Sequence, residues 1–90
     1  MATIDSYKNL INEIIAKQIV ILGPDIVLLK AKTVSGLKLD SEGMVESLTG
    51  DPQTVLQTLV NEYIGLSGLA MRGVISAIVT KYPDIKIDLG

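Results

Sequence analysis

The stretch DPQTVLQTLVNEYIGLSGLAMRGVISAIVTKYP, residues 51–83, decides how this chain folds. It opens on an Asp-Pro step. Asp51 suits an N-cap and Pro52 the first helical position, where a missing N–H costs nothing. Pro83 marks the end. Between Gln53 and Thr80 the only charged residues are Glu62 and Arg72. Leu56, Val60, Ile64, Met71, Val74, Ile75 and Ile78 form one apolar stripe at helical spacing. Leu59, Leu66, Ala70, Gly73 and Ala77 form a second, with small residues toward its end. The pattern predicts a long helix over about 52–82. A helix apolar on nearly all sides must be covered on nearly all sides. A straight helix of about 30 residues runs about 45 Å, more than a compact domain of this length needs.

Three arrangements would cover it. A membrane span over residues 63–80 has the right length, but Arg72 stands at its middle and three glycines and two serines dilute it. A buried helix within one copy, broken near Gly65-Leu66-Ser67-Gly68, needs no partner. A two-fold homodimer is the preferred reading. Leu66, Ala70, Gly73 and Ala77 then form the self-association interface, because small side chains let two backbones approach closely. Arg72 is placed to meet a carboxylate, a helix C-terminus or an anion, with pairing inside its own subunit or exposure to solvent as the ordinary outcome.

Working outward, the 90 residues bound one domain, residues 1–90. A domain of this size buries only about 60–65% of its unfolded surface, which leaves its stability marginal without help. The chain contains neither Cys nor His. Disulfides are therefore absent, and so are the thiol and imidazole groups that nucleophilic catalysis and zinc binding most often use. No cofactor and no metal are expected. A net charge of −2 and three Tyr as the only aromatics supply neither a basic field nor stacking platforms for nucleic acid. Met1 to Asp5 lacks the basic and apolar regions of a secretion signal, so the cytoplasm is the expected compartment.

Residues 4–22 read as an amphipathic helix. Ile4, Tyr7, Leu10, Ile11, Ile14, Ile15 and Ile19 share a face, Thr3 is the N-cap, and Glu13 and Lys17 stand at i,i+4. Gly23-Pro24 ends that helix and starts a shorter one over 24–34. Residues about 36–48 then alternate. A hairpin that pairs Asp40 with Met44 sets Leu39 opposite Val45 and Lys38 opposite Glu46, with Gly43 in the loop. After Pro83, the alternation Ile85, Ile87, Leu89 predicts a short last strand. The fold class is α+β: two N-terminal helices, a β-hairpin, a long C-terminal helix and a terminal strand.

One stretch carries a resemblance. Leu39-Asp40-Ser41, followed by Met44-Val45-Glu46-Ser47-Leu48, resembles the prosthetic-group site of acyl carrier proteins. The resemblance implies phosphopantetheine on Ser41, at a helix start. It covers about a dozen residues. Glu42 stands where the family has Leu, Gly43 suits a first helical turn poorly, and the last third of the chain does not match. The hairpin accounts for Gly43 better.

The expected role is a non-catalytic protein-interaction or assembly module acting as a homodimer, with a further, unidentified protein partner left open and no nucleic acid or membrane as partner. The alternatives are the carrier reading and a regulator that holds a small apolar ligand in an aliphatic groove.

Overall fold

The computed structural model describes residues 2–89, apart from the side chains of Ser67, Leu69 and Ala70. It is an α+β fold: α1 (Ile4–Leu22), α2 (Pro24–Lys32), β1 (Leu37–Leu39), β2 (Val45–Leu48), α3 (Pro52–Ser67) and α4 (Leu69–Val79).

Helix α1 begins where its capping chemistry permits. Thr3 is extended and its hydroxyl accepts the Ser6 N–H at 3.1 Å. The helix buries Leu10, Ile11, Ile14 and Ile15, and ends where the Gly23 N–H donates to the Ile19 carbonyl. Pro24 opens α2 directly after that glycine, and α2 contributes Val27 and Ala31 to the core. Asp51 caps α3 by accepting the Gln53 N–H, and Thr54 donates its hydroxyl to the other carboxylate oxygen at 2.9 Å.

The hairpin is antiparallel. Leu39 faces Val45, but Lys38 faces Ser47 and Leu37 faces Leu48, because an irregularity falls between Lys38 and Leu39. The expected register of Lys38 against Glu46 is therefore corrected by one residue. Their charges still meet diagonally, at 3.9 Å. The loop is closed by Asp40, whose carboxylate accepts the N–H groups of Glu42 and Met44. Helix α1 ties the hairpin down: Asn12 accepts the Val45 N–H at 2.8 Å. At the hairpin base, the Thr49 N–H donates to the Gly36 carbonyl at 2.7 Å. Gly36 has φ +87°, and a Cβ there would lie 2.4 Å from the Thr49 oxygen, so only glycine fits.

The long helix expected over 52–82 is two helices. Gly68, at φ 68° and ψ −146°, breaks it, and α4 folds back onto α1. That φ/ψ region is essentially reserved for glycine. Folding back has a packing reason. A straight helix over 52–79 would span about 42 Å at 1.5 Å per residue, whereas the molecule is 31 Å in its longest dimension. The break lets Met71, Ile75 and Ile78 join Leu56, Leu59, Val60 and Tyr63 in one core.

The expected terminal strand is also corrected. Residues 85–89 belong to no strand. The alternation is nevertheless real: Ile85 is buried, Ile87 and Leu89 are half-buried, and Lys86 and Asp88 are exposed. The backbone partner is not a strand but the side chains of α3. Gln53 donates to the Lys86 carbonyl, and Gln57 bonds both backbone groups of Asp88.

Candidate functional site

The chemistry-bearing residues do not converge. Ser41 lies exposed in the hairpin loop, between β1 and β2 and well before α3 starts at Pro52. The helix-start setting implied by the carrier resemblance is thus absent at Ser41. Glu62 is half-exposed and pairs with Lys30 at 3.6 Å. Glu13 pairs with Lys81 at 3.1 Å rather than with Lys17, because folding back brings the end of α4 alongside α1. Among the described residues, no group of three or more acids could hold a metal, and no helix is long and apolar enough to cross a membrane.

Buried polar groups are few. The Tyr63 side chain is enclosed, with its hydroxyl donating to the Val27 carbonyl at 3.1 Å. Burial pushes its pKa well above the ordinary tyrosine value. Gln18 is fully buried between α1 and α4. Its amide N–H meets the Met71 sulfur, while its carbonyl oxygen has no partner among the described residues. Arg72 makes no ion pair among the described residues, and its Nε is buried without a hydrogen-bond partner.

What the fold does assemble is an apolar end. Gln18 against Met71 and Glu13 against Lys81 set α1 and α4 antiparallel. Tyr63 against Val27 and Lys30 against Glu62 do the same for α2 and α3. The last turn of α1, the first turn of α2 and the last turn of α3 consequently meet at one end of the molecule. Val20 (82% exposed), Ile21 (51%), Leu22, Ile26 and Leu66 present large apolar side chains to solvent there, and Leu29 (61%) continues the patch along α2. A groove of about 420 Å³ runs from this end between α1 and α4, lined by Val20, Ile21, Val74, Ala77 and Ile78, with Lys17 and Lys81 at its rim.

Of the four residues expected to self-associate, Leu66 is 36% exposed, and Gly73 and Ala77 are exposed one turn apart on α4. The Ala70 side chain lies outside the description. A Cβ at Gly73 would meet nothing within 4 Å, so no contact within the chain uses its missing side chain. Reading the long helix alone missed Val20, Ile21, Leu22, Ile26 and Leu29. The signal was present in Ile19-Val20-Ile21-Leu22. Four successive helical residues sweep about 300° around the axis, so one buried face cannot hold them all.

Comparison with protein-family models, with curated proteins and with solved structures finds no match to the chain.

Proposed function

We propose that the chain is a non-catalytic assembly module whose apolar end and α1–α4 groove are closed by a second copy of itself. The observation that carries this reading is the concentration of exposed apolar side chains. Five of the eight large exposed ones among the described residues fall within residues 20–29, at one end of the fold. Exposed apolar side chains gathered in this way favour an interaction surface, whereas scattered exposed leucines would not.

Three further features favour a second copy as the occupant. Gly73 and Ala77 leave room for close approach of another backbone along α4. Beside the groove, Glu13, held by Lys81 within the chain, and Lys17 stand one turn apart on α1, so a two-fold axis can set Lys17 of one copy against Glu13 of the other. A stable dimer needs about 800 Å² per partner, about a sixth of the 5103 Å² surface of one copy.

Sedimentation velocity over a range of concentrations tests the reading. A dimer that dissociates on Val20→Glu supports it. A single 9.6 kDa species at high micromolar concentration rules it out.

The groove itself favours a second reading, a small apolar-ligand regulator. Its volume falls in the range of about 300–1,000 Å³ typical of ligand sites, and Lys17 at its rim is placed to hold an anionic head group. A monomer whose melting temperature rises with a medium-chain fatty acid would favour that reading over assembly.

A further inference from the structure

We infer that the chain can form a domain-swapped dimer in which Gly68 straightens, α3 and α4 merge into one helix, and α4 with the segment that follows it packs on α1 and α3 of the second copy. This deepens the self-association reading, with which it shares the second copy as partner, and differs from it in the contact made.

The connection between α3 and α4 is a single residue. The Gly68 N–H already donates to the Ile64 carbonyl at 2.7 Å, the bond a continuing helix would make. The dihedral angles of Gly68, φ 68° and ψ −146°, depart from helical values, while Ser67 before it and Leu69 after it belong to α3 and α4. The break also leaves the start of α4 poorly served. Gly68 provides no side-chain cap, and Met71 reaches back only to the Gly68 carbonyl, at 3.2 Å. In a continuous helix the N–H groups of residues 69–72 would bond the carbonyls of residues 65–68.

Straightening would strip Met71, Ile75 and Ile78 from α1, and these are buried in the folded chain. An identical α1 on a second copy restores every one of those contacts. The merged helix would be about 42 Å long, longer than the 31 Å body of one copy, so it projects α4 beyond its own domain. Short connections between packed elements are the setting in which such exchange occurs at low cost.

The chain has no cysteine, so paired cysteines report cleanly. Gln18 and Met71 touch across α1 and α4 and are buried together. One preparation carries Gln18→Cys and another Met71→Cys. The two are refolded together and oxidised, and Gln18→Cys/Met71→Cys on one chain serves as the positive control for bond formation. Exchange of α4 gives an interchain disulfide between positions 18 and 71. Gly68→Ala, which penalises the bent form and favours the helix, raises that product by about tenfold or more.

A dimer that lacks the link and is dissolved by Val20→Glu leaves the face-to-face reading standing and overturns the exchange. A Gly68→Ala dimer that survives Val20→Glu supports exchange without relying on the cysteines. A Gly68→Ala chain that stays monomeric and merely melts earlier overturns it.

Discussion

The side-chain amide of Gln57 bonds both backbone groups of Asp88, accepting its N–H at 2.8 Å and donating to its carbonyl at 2.6 Å. A glutamine on a helix thereby takes the place that a neighbouring strand would occupy. Together with Gln53 one turn earlier, it lays residues 85–89 along α3 and lets Ile85 reach the core.

Replacing that amide should release the segment. Gln57→Ala is expected to cost about 1–2 kcal/mol, the net worth of two such hydrogen bonds. Urea denaturation measures the loss, and amide exchange at Asp88 should accelerate well beyond the change at core positions. Unchanged exchange at Asp88 would mean that Ile85 alone seats the segment.

Gln18 should be replaceable at a profit in stability. Among the described residues its buried carbonyl oxygen lacks a partner, and its N–H meets the Met71 sulfur. A buried unsatisfied group costs about 1–3 kcal/mol. Gln18→Met keeps the length of the side chain and is expected to raise stability by about 1 kcal/mol, or about 4–8 °C in melting temperature for a domain of this size. A lower melting temperature would show that the amide is held by something beyond Met71.

Tyr63 should govern stability in alkali. Its folded pKa lies above the unfolded value of 10.0. Below the unfolded pKa both states keep the phenolic proton, and the group adds no pH dependence. Above about pH 10 the unfolded chain loses that proton while the folded chain keeps it, so stability falls as pH rises. Tyr63→Phe should flatten the decline between pH 9 and 11, at a cost of about 1 kcal/mol near neutrality for the bond to Val27. Equal alkaline slopes in the two proteins would assign the decline to other groups.

Val20→Glu should separate association from folding. At 82% exposure Val20 contributes almost nothing to the core. Surface changes of this kind shift stability by about 0.5 kcal/mol or less. The melting temperature extrapolated to low concentration is therefore expected to hold, while the dimer dissociation constant rises by about tenfold or more. A large loss of monomer stability would place Val20 in the fold rather than at an interface.

Gly36→Ala should be among the most damaging single changes. The new Cβ would meet the Thr49 carbonyl at 2.4 Å, on a backbone with φ +87°. Strain at such a backbone costs about 1–3 kcal/mol before the clash is counted. Circular dichroism melting compared with Gly65→Ala, whose Cβ meets open space, isolates the effect, and Gly65→Ala should be neutral or stabilising.

The parts of the fold that were legible in the sequence are those set by local chemistry. Thr3 and Asp51 act as caps at the positions their side chains dictate, Pro52 opens α3, and Gly43 sits in the loop that Asp40 closes. Two features were legible only in part. The glycines at 65 and 68 offered a break as one arrangement, but the apolar stripe resumes beyond them at helical spacing, and the need to fit the core within a small body decides that the chain bends at Gly68. The alternation of residues 85–89 fixed which side chains point inward, but not what the backbone would bond to; glutamines at one-turn spacing announce nothing by themselves. Helix spacing put Leu66, Gly73 and Ala77 on one stripe with Leu59, yet Leu59 is buried while the other three are exposed, and the break at Gly68 parts Gly73 and Ala77 from it. The larger exposed patch on α1 and α2 was missed because the four-residue run at Ile19–Leu22 was read as the end of a helix rather than as an excess of apolar surface.

The hydrogen bond from Thr49 to Gly36 has a practical consequence. It pins the two ends of the hairpin to each other, independently of what lies at the tip. Ser41 and Glu42, both exposed, therefore mark an insertion point in a cassette with fixed ends. A foreign peptide or epitope grafted between them would be displayed from a closed clasp, with the helices behind it left in register.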